Sequence, residues 1–243
     1  MAAPSDITPP AGVAAVVVTT VAATVPGSGE DRRVFLKDRA YELLKTMILG
    51  EQFPPGSFLS ERTLADTLGM SKTPVRSAVE RLENEGFVSV SPQQGIVVRA
   101  LSPEEIRNHF DLRIALETFV VRRLTGTLKA EQLAQLEAKL RDHERALETG
   151  DVLLAASSDL DFHLTLCRLG DNEEIVRALW WHHDILFRTV HKLYRDDRFS
   201  QRVQQNSLEH ETLLKLLSDR DGDRAARYLE KHIEFSKHLI LMG

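Results

Sequence analysis

The 243-residue sequence predicts a mainly α protein, with an N-terminal winged helix-turn-helix followed by a C-terminal all-α helical bundle. Three observations carry that expectation. Ser60 to Leu82, reading SERTLADTLGMSKTPVRSAVERL, holds two short apolar-striped segments divided by a glycine. A pair of short β-branched runs follows directly, separated by Pro92 to Gly95. Beyond residue 102 the apolar positions recur at helical spacing and no strand signal appears.

The bulk numbers fit this outline. A 42% hydrophobic and 28% charged chain is that of a soluble globular protein, and its length suits two ordinary domains. The single cysteine, Cys167, excludes an intrachain disulfide and fits a reducing cytoplasm.

Residues 1–33 are rich in Ala, Val, Thr and Pro, with almost no charge before Glu30, and read as a disordered N-terminal arm. Their apolar run, Val13 to Val25, falls well short of the ~20 residues a bilayer-spanning helix needs, so no membrane association is expected. No cationic segment precedes that run, as a secretory signal would require.

Residues 34–100 make the first domain. Ala40, Leu43, Leu44, Met47 and Ile48 share one helical face, and Gly50 ends that helix. Pro54, Pro55 and Gly56 form a turn, and Ser60 can cap the next helix. In that helix Leu64, Ala65 and Leu68 face inward, and Gly69 supplies a C-terminal cap. Ser71 stands at an N-cap position, and Pro74 sits in the first turn of a second helix, where a missing N–H costs little. Val75, Val79 and Leu82 bury one face of it, leaving Lys72, Thr73, Arg76 and Ser77 to project from its start. Phe87 to Val90 and Ile96 to Val98 read as a hairpin whose polar tip is Gln93-Gln94-Gly95. A helix-turn-helix with a hairpin behind its reading helix is a DNA-binding arrangement.

Charge constrains how such a head binds. Residues 34–100 carry eight cations (37, 39, 45, 62, 72, 76, 81, 99) and eight anions (38, 42, 51, 61, 66, 80, 83, 85), so the −5 of the whole chain lies elsewhere. Binding must rest on a few placed cations, and a two-fold dimer would double them. Arg81 lies farther along the reading helix and is expected to serve as a solvated or intramolecular charge.

Residues 101–243 read as six amphipathic helices, at about 103–125, 130–148, 151–169, 172–195, 201–219 and 221–241, which make a bundle. Asp159 and His163 are spaced i and i+4, so their side chains share one helix face. His210 and His232 sit on two later helices among leucines and isoleucines, which points them into the bundle. One carboxylate and three imidazoles can ligate Zn²⁺, Ni²⁺ or a similar divalent ion with positions left open. Buried histidines that merely satisfy hydrogen bonds are the alternative. His109, His143, His182, His183, His191 and His238 are expected on the surface or in packing roles, and Trp180 and Trp181 in the core.

The stretch ILGEQFPPGSFLSERTLADTLGMSKTPVRSAVERLENEGFVSVSPQQGIVVRAL closely resembles the N-terminal winged helix of GntR-type bacterial repressors. The helical remainder resembles the FCD ligand-sensing domain of the FadR-like subgroup, through DLRIALE at 111–117, DLDFHLTL at 159–166, EH at 209–210 and GDRAARYLEKH at 222–232. The resemblance implies DNA contacts from Arg62, Lys72, Thr73, Arg76 and the wing glycine, Gly95. Arg76 suits a guanine edge and Arg62 a phosphate. Lys72 departs from the arginine commoner in the family, and its ammonium lacks a planar fork. The resemblance also implies a divalent metal, Zn or Ni, on Asp159, His163, His210 and His232. Arg113 would meet an acidic effector there, an Arg113–Glu117 helix salt bridge being the plainer reading.

The expected protein is a cytoplasmic homodimeric transcriptional regulator, a repressor and not an enzyme. It would bind double-stranded operator DNA of inverted-repeat form and release it when a small carboxylate occupies the metal site. A purely structural metal, or a metal-dependent hydrolase, is the alternative. The lack of a general base beside the site argues against hydrolysis.

Overall fold

The computed structural model describes residues 29–91 and 95–242. They fall into two compact units, one reaching Ser102 and one beginning at Pro103. Gln93 and Gln94 of the expected wing tip, and all but the last few residues of the expected arm, lie outside the described residues.

In the first unit, helix α1 spans Glu30–Leu49, strand β1 Phe58–Leu59, α2 Glu61–Leu68, α3 Lys72–Asn84, β2 Val88–Ser91 and β3 Gly95–Val98. The first helix begins earlier than the apolar pattern predicts, taking in residues 30–33 of the expected arm. Residues 30–33 are all charged, so the apolar periodicity does not register them.

Ser60 caps α2 by accepting the backbone N–H of Thr63 at 3.0 Å. Gly69 ends it in the left-handed region, at φ 62°. Ser71 occupies the N-cap position of α3 as expected, but its side chain makes no capping bond. The core joins Ala40, Tyr41, Leu44 and Ile48 of α1 to Val75, Ala78, Val79 and Leu82 of α3. Phe87, Val88, Ile96 and Val98 close it from the wing.

The wing has one strand more than the sequence predicts. β1 pairs antiparallel with β3 (Phe58↔Val97, Leu59↔Ile96), so β3 is central and the order is β1-β3-β2. A two-residue strand inside a proline-rich turn carries no periodicity, and only its long-range partner defines it. This pairing also explains Gly95. Its φ is +79°, and a Cβ there would sit 2.9 Å from the Leu59 carbonyl oxygen. Gly95→Ala is therefore expected to destabilise this unit by about 1–2 kcal/mol from the left-handed backbone alone, read as an earlier urea midpoint.

In the second unit, α4 spans Pro103–Leu124, α5 Ala130–Thr149, α6 Val152–Arg168, α7 Glu173–Arg195, α8 Ser200–Ser218 and α9 Gly222–Met242. A short 3₁₀ turn, Asp197–Phe199, precedes α8. Side-chain caps set several starts: Asp151 accepts from Leu154 N at 3.0 Å, and Asn172 from the backbone N–H groups of Glu174 and Ile175. Helix α4 carries Glu104 and Glu105 in its first turn and Arg122 and Arg123 in its last, both matched to the dipole. α4 packs on α9, α7 and α6; α6 packs on α5 and α7; α8 closes against α5 and α9. Helix α6 is enclosed from Leu160 to Cys167, apart from a half-buried Asp161, and this brings its polar residues to the centre of the bundle. Trp181 corrects the expected core role: it is 78% exposed, while Trp180 stacks on His183. Adjacent helical residues point about 100° apart, and the neighbouring position takes the inward direction. Among the described residues, no helix is long and apolar enough to cross a membrane.

Candidate functional site

In the first unit, Arg62, Lys72, Thr73 and Arg76 are all exposed at the open end of the helix-turn-helix. They are held differently. Arg76 is engaged by Glu61 in a fork, Nε to Oε1 and Nη2 to Oε2, both 2.8 Å. The hydrogen bonds from Arg76 hold the Glu61 carboxyl below its usual range. Arg62 lies 3.8 Å from Asp66 in a loose exposed pair. Arg81 is intramolecular: its guanidinium lies 3.6 Å from the centroid of the Tyr41 ring and bonds Glu85. Glu83 ties reading helix to wing by accepting the Val90 N–H at 2.7 Å.

In the second unit, Asp159 and His163 of α6, His210 of α8 and His232 of α9 converge. All four are buried, and one ligand atom from each lies within 4.8 Å of the others. His163 Nε2 and His210 Nε2 are 3.1 Å apart, and Asp159 Oδ1 is 3.6 Å from His210 Nε2. Burial, with the charge of Arg113, holds the His163 imidazole below its usual pKa, and burial pushes His210 well below. Neutral imidazoles are the form that ligates metal. Asp159 Oδ1 has no hydrogen-bond partner although it is buried, as suits an oxygen facing a cation. The donor set therefore fits a divalent ion such as Zn²⁺ or Ni²⁺.

Two relays orient the imidazoles. His163 Nδ1 donates to Glu117 Oε2 at 2.6 Å, and Glu117 Oε1 accepts from Arg113 Nε at 2.7 Å. His232 Nδ1 donates to Glu209 Oε2, which also accepts from Arg202 Nη2 at 2.8 Å. Each carboxylate fixes a tautomer whose Nε2 lone pair is free toward the cluster. Burial alone would raise the Glu117 carboxyl, but the charges of Arg113 and His163 outweigh it and hold it at about 2. Arg113 makes the helix salt bridge of the alternative reading and still leaves Nη2 buried without a partner.

Glu209, Arg202, Tyr194, Asn206 and His143 complete the surroundings, and residue spacing did not single them out. Asn206 Nδ2 donates to the Tyr194 hydroxyl at 3.1 Å, which lies 3.3 Å from His143 Nε2. His143 is wholly enclosed. One signal was available: Arg202, Asn206 and His210 recur at i, i+4 and i+8, a single inward stripe of α8.

A winged helix-turn-helix joined to a helical bundle of this kind defines a DNA-binding transcriptional regulator. Residues 36–98 match the family described as bacterial regulatory proteins, gntR family, and residues 108–235 match the FCD domain. The Nta operon transcriptional regulator of Aminobacter aminovorans is 30% identical over 195 residues, covering 77% of this chain and 86% of that protein. The HTH-type transcriptional repressor RspR of Escherichia coli K12 is 26% identical over 82% of this chain and 86% of its own. A transcriptional regulator GntR from Rhodococcus sp. RHA1 shares the fold with a TM-score of 0.73, at 20% identity, over 85% of this chain and 98% of that one.

The chain belongs to the GntR family and carries an FCD domain. It is a transcriptional regulator, not an enzyme. GntR regulators bind operator DNA and function as dimers, and some FCD domains bind metals.

Proposed function

We propose that this regulator is a cytoplasmic homodimeric repressor whose grip on an inverted-repeat operator is controlled by a small organic acid bound beside a divalent metal. The observation that carries the effector reading is Arg113 Nη2, buried and unpartnered, on a side chain whose Glu117 partner also holds His163 of the four-residue cluster. Asp159, His163, His210 and His232 would hold the ion, which supplies a Lewis-acidic position for one carboxylate oxygen. Arg113 would take the other oxygen as a charge-assisted hydrogen bond. The names of relatives such as RspR and the gluconate operon transcriptional repressor of Bacillus licheniformis support repression over activation.

On the DNA side, Arg76 would read a guanine edge, Thr73 and Lys72 would contact the strand beside it, and Arg62 and Gly95 would fix the frame on phosphate and sugar. Ligand binding would alter the separation of the two reading heads in the dimer and so their match to the half-sites.

Two measurements test this. In a gel shift, Arg76→Ala should lose roughly 1–3 kcal/mol of discrimination between operator and a point-mutated site; unchanged preference removes Arg76 from base readout. His163→Ala should still bind operator but fail to release it when small carboxylates are added to the metal-loaded protein. Normal release by that variant would overturn the proposed control.

A further inference from the structure

We propose, resting on the reading of Gly95 as a DNA contact, that Glu83 is a positioning residue for operator binding, holding the wing at a fixed offset from the reading helix. Its Oε1 accepts the backbone N–H of Val90 at 2.7 Å. β2 is an edge strand in the order β1-β3-β2, so no neighbouring strand takes this N–H on its outer side. Val90 pairs with Ile96, the residue next to Gly95, so the bond grips β2 at the level from which Gly95 emerges. Nearer the base of the hairpin, Arg99 Nη1 donates to the Gly86 carbonyl at 3.1 Å, and Arg99 N to the Phe87 carbonyl at 2.9 Å. Those contacts set where the wing starts. The Glu83 bond sets how far its upper part leans from α3.

The position of Glu83 on α3 gives the bond its meaning. Arg76, Glu80 and Glu83 fall at i, i+4 and i+7, on one exposed face of the helix. That face carries the guanine-reading side chain near its start and the wing anchor near its end, about 10 Å apart along the axis at ~1.5 Å per residue. A base-edge contact and a sugar-phosphate contact joined by one rigid helix share a single register on the duplex. A carboxylate is otherwise badly placed here. It lies in the last turn of α3, where the helix dipole favours cations, on a face turned toward phosphates. Among the described residues no cation pairs with it, and its bond is to the wing backbone. A wing held in this way also meets DNA without the loss of conformational freedom that a swinging hairpin would suffer on binding.

The test uses the full-length protein and a duplex that the wild-type protein selects from a random-sequence library. In hydroxyl-radical footprints, wild type should protect sugars flanking each half-site. Glu83→Ala should lose that flank protection and bind about tenfold more weakly, the scale of one hydrogen bond to a charged group. Its protection of half-site guanines from dimethyl sulfate should stay intact. Glu83→Gln keeps an acceptor oxygen and drops the charge, so it should restore both affinity and flank protection. In the free protein, the Val90 amide should exchange with deuterium faster in Glu83→Ala than in wild type or Glu83→Gln. Glu83 is exposed, so both variants should fold. Flank protection that survives in Glu83→Ala, a uniform loss of flank and guanine protection, or a Glu83→Gln as defective as Glu83→Ala overturns the positioning role and leaves the Gly95 reading standing. Wild-type protein that protects guanines but no flanking sugar overturns both.

Discussion

Replacing Glu117 with alanine is expected to destabilise the helical unit by about 3–5 kcal/mol, because it strands a buried cation. Arg113 is 2% exposed and Glu117 1%, so the guanidinium would lose its ion-pair partner with no water to replace it. His163 would at the same time lose the carboxylate that fixes its tautomer. On a unit of this size, the loss corresponds to a melting temperature lower by roughly 10 °C. Glu117→Gln should fall between, since the amide keeps the hydrogen-bonding shape and loses the charge. Thermal melts followed by circular dichroism decide the matter. A Glu117→Ala melt within a degree or two of wild type would mean that the relay stores no stability.

Stripping divalent metal is expected to have an effect of similar size. An ion that binds only the folded cluster stabilises it by about 2.7 kcal/mol at one hundred times its dissociation constant. A chelator should therefore lower the melting temperature by several degrees, and Zn²⁺ or Ni²⁺ should restore it. His210→Ala, which removes the imidazole whose Nε2 lies 3.1 Å from His163 Nε2 and 3.6 Å from Asp159 Oδ1, should melt at the same temperature with and without added metal. An identical melt of chelated and metal-supplemented wild type would argue that the cluster is a hydrogen-bonded polar core with no ion.

Much of this architecture is legible in the residues because its signals are local. Ser60, Gly69 and the stripe Val75, Val79, Leu82 mark α2 and α3 through caps and periodicity. The ends of the six helices of the second unit fall within one residue of the ranges their apolar spacing predicts. Long-range features are less legible. β1 exists because Phe58 and Leu59 meet Val97 and Ile96, which no local pattern announces. Asp159 and His163 share a helix face by spacing alone, but the approach of His210 and His232 depends on how α8 and α9 pack. His143 shows the same gap. Its neighbours in the chain read as an exposed helix, while Ala155, Ser158 and Tyr194 enclose it from other helices. In the sequence Glu209 stands out only as the neighbour of His210, and its bonds to His232 and Arg202 depend on α8 and α9 lying side by side.

The Glu61–Arg76 fork has a consequence for how the operator complex responds to ionic strength. Salt sensitivity counts the counterions that a protein's cations displace from the phosphates. A guanidinium paired with a carboxylate 2.8 Å away adds little net positive charge at the DNA surface and so displaces few counterions. In the proposed dimer, with Arg76 so balanced in each head, the slope of log affinity against log salt would rest on Lys72 and the loosely paired Arg62. It should be shallow for a dimer of this size. Discrimination between sequences, which resides in base-edge contacts, would then persist at salt concentrations where nonspecific binding has already been lost.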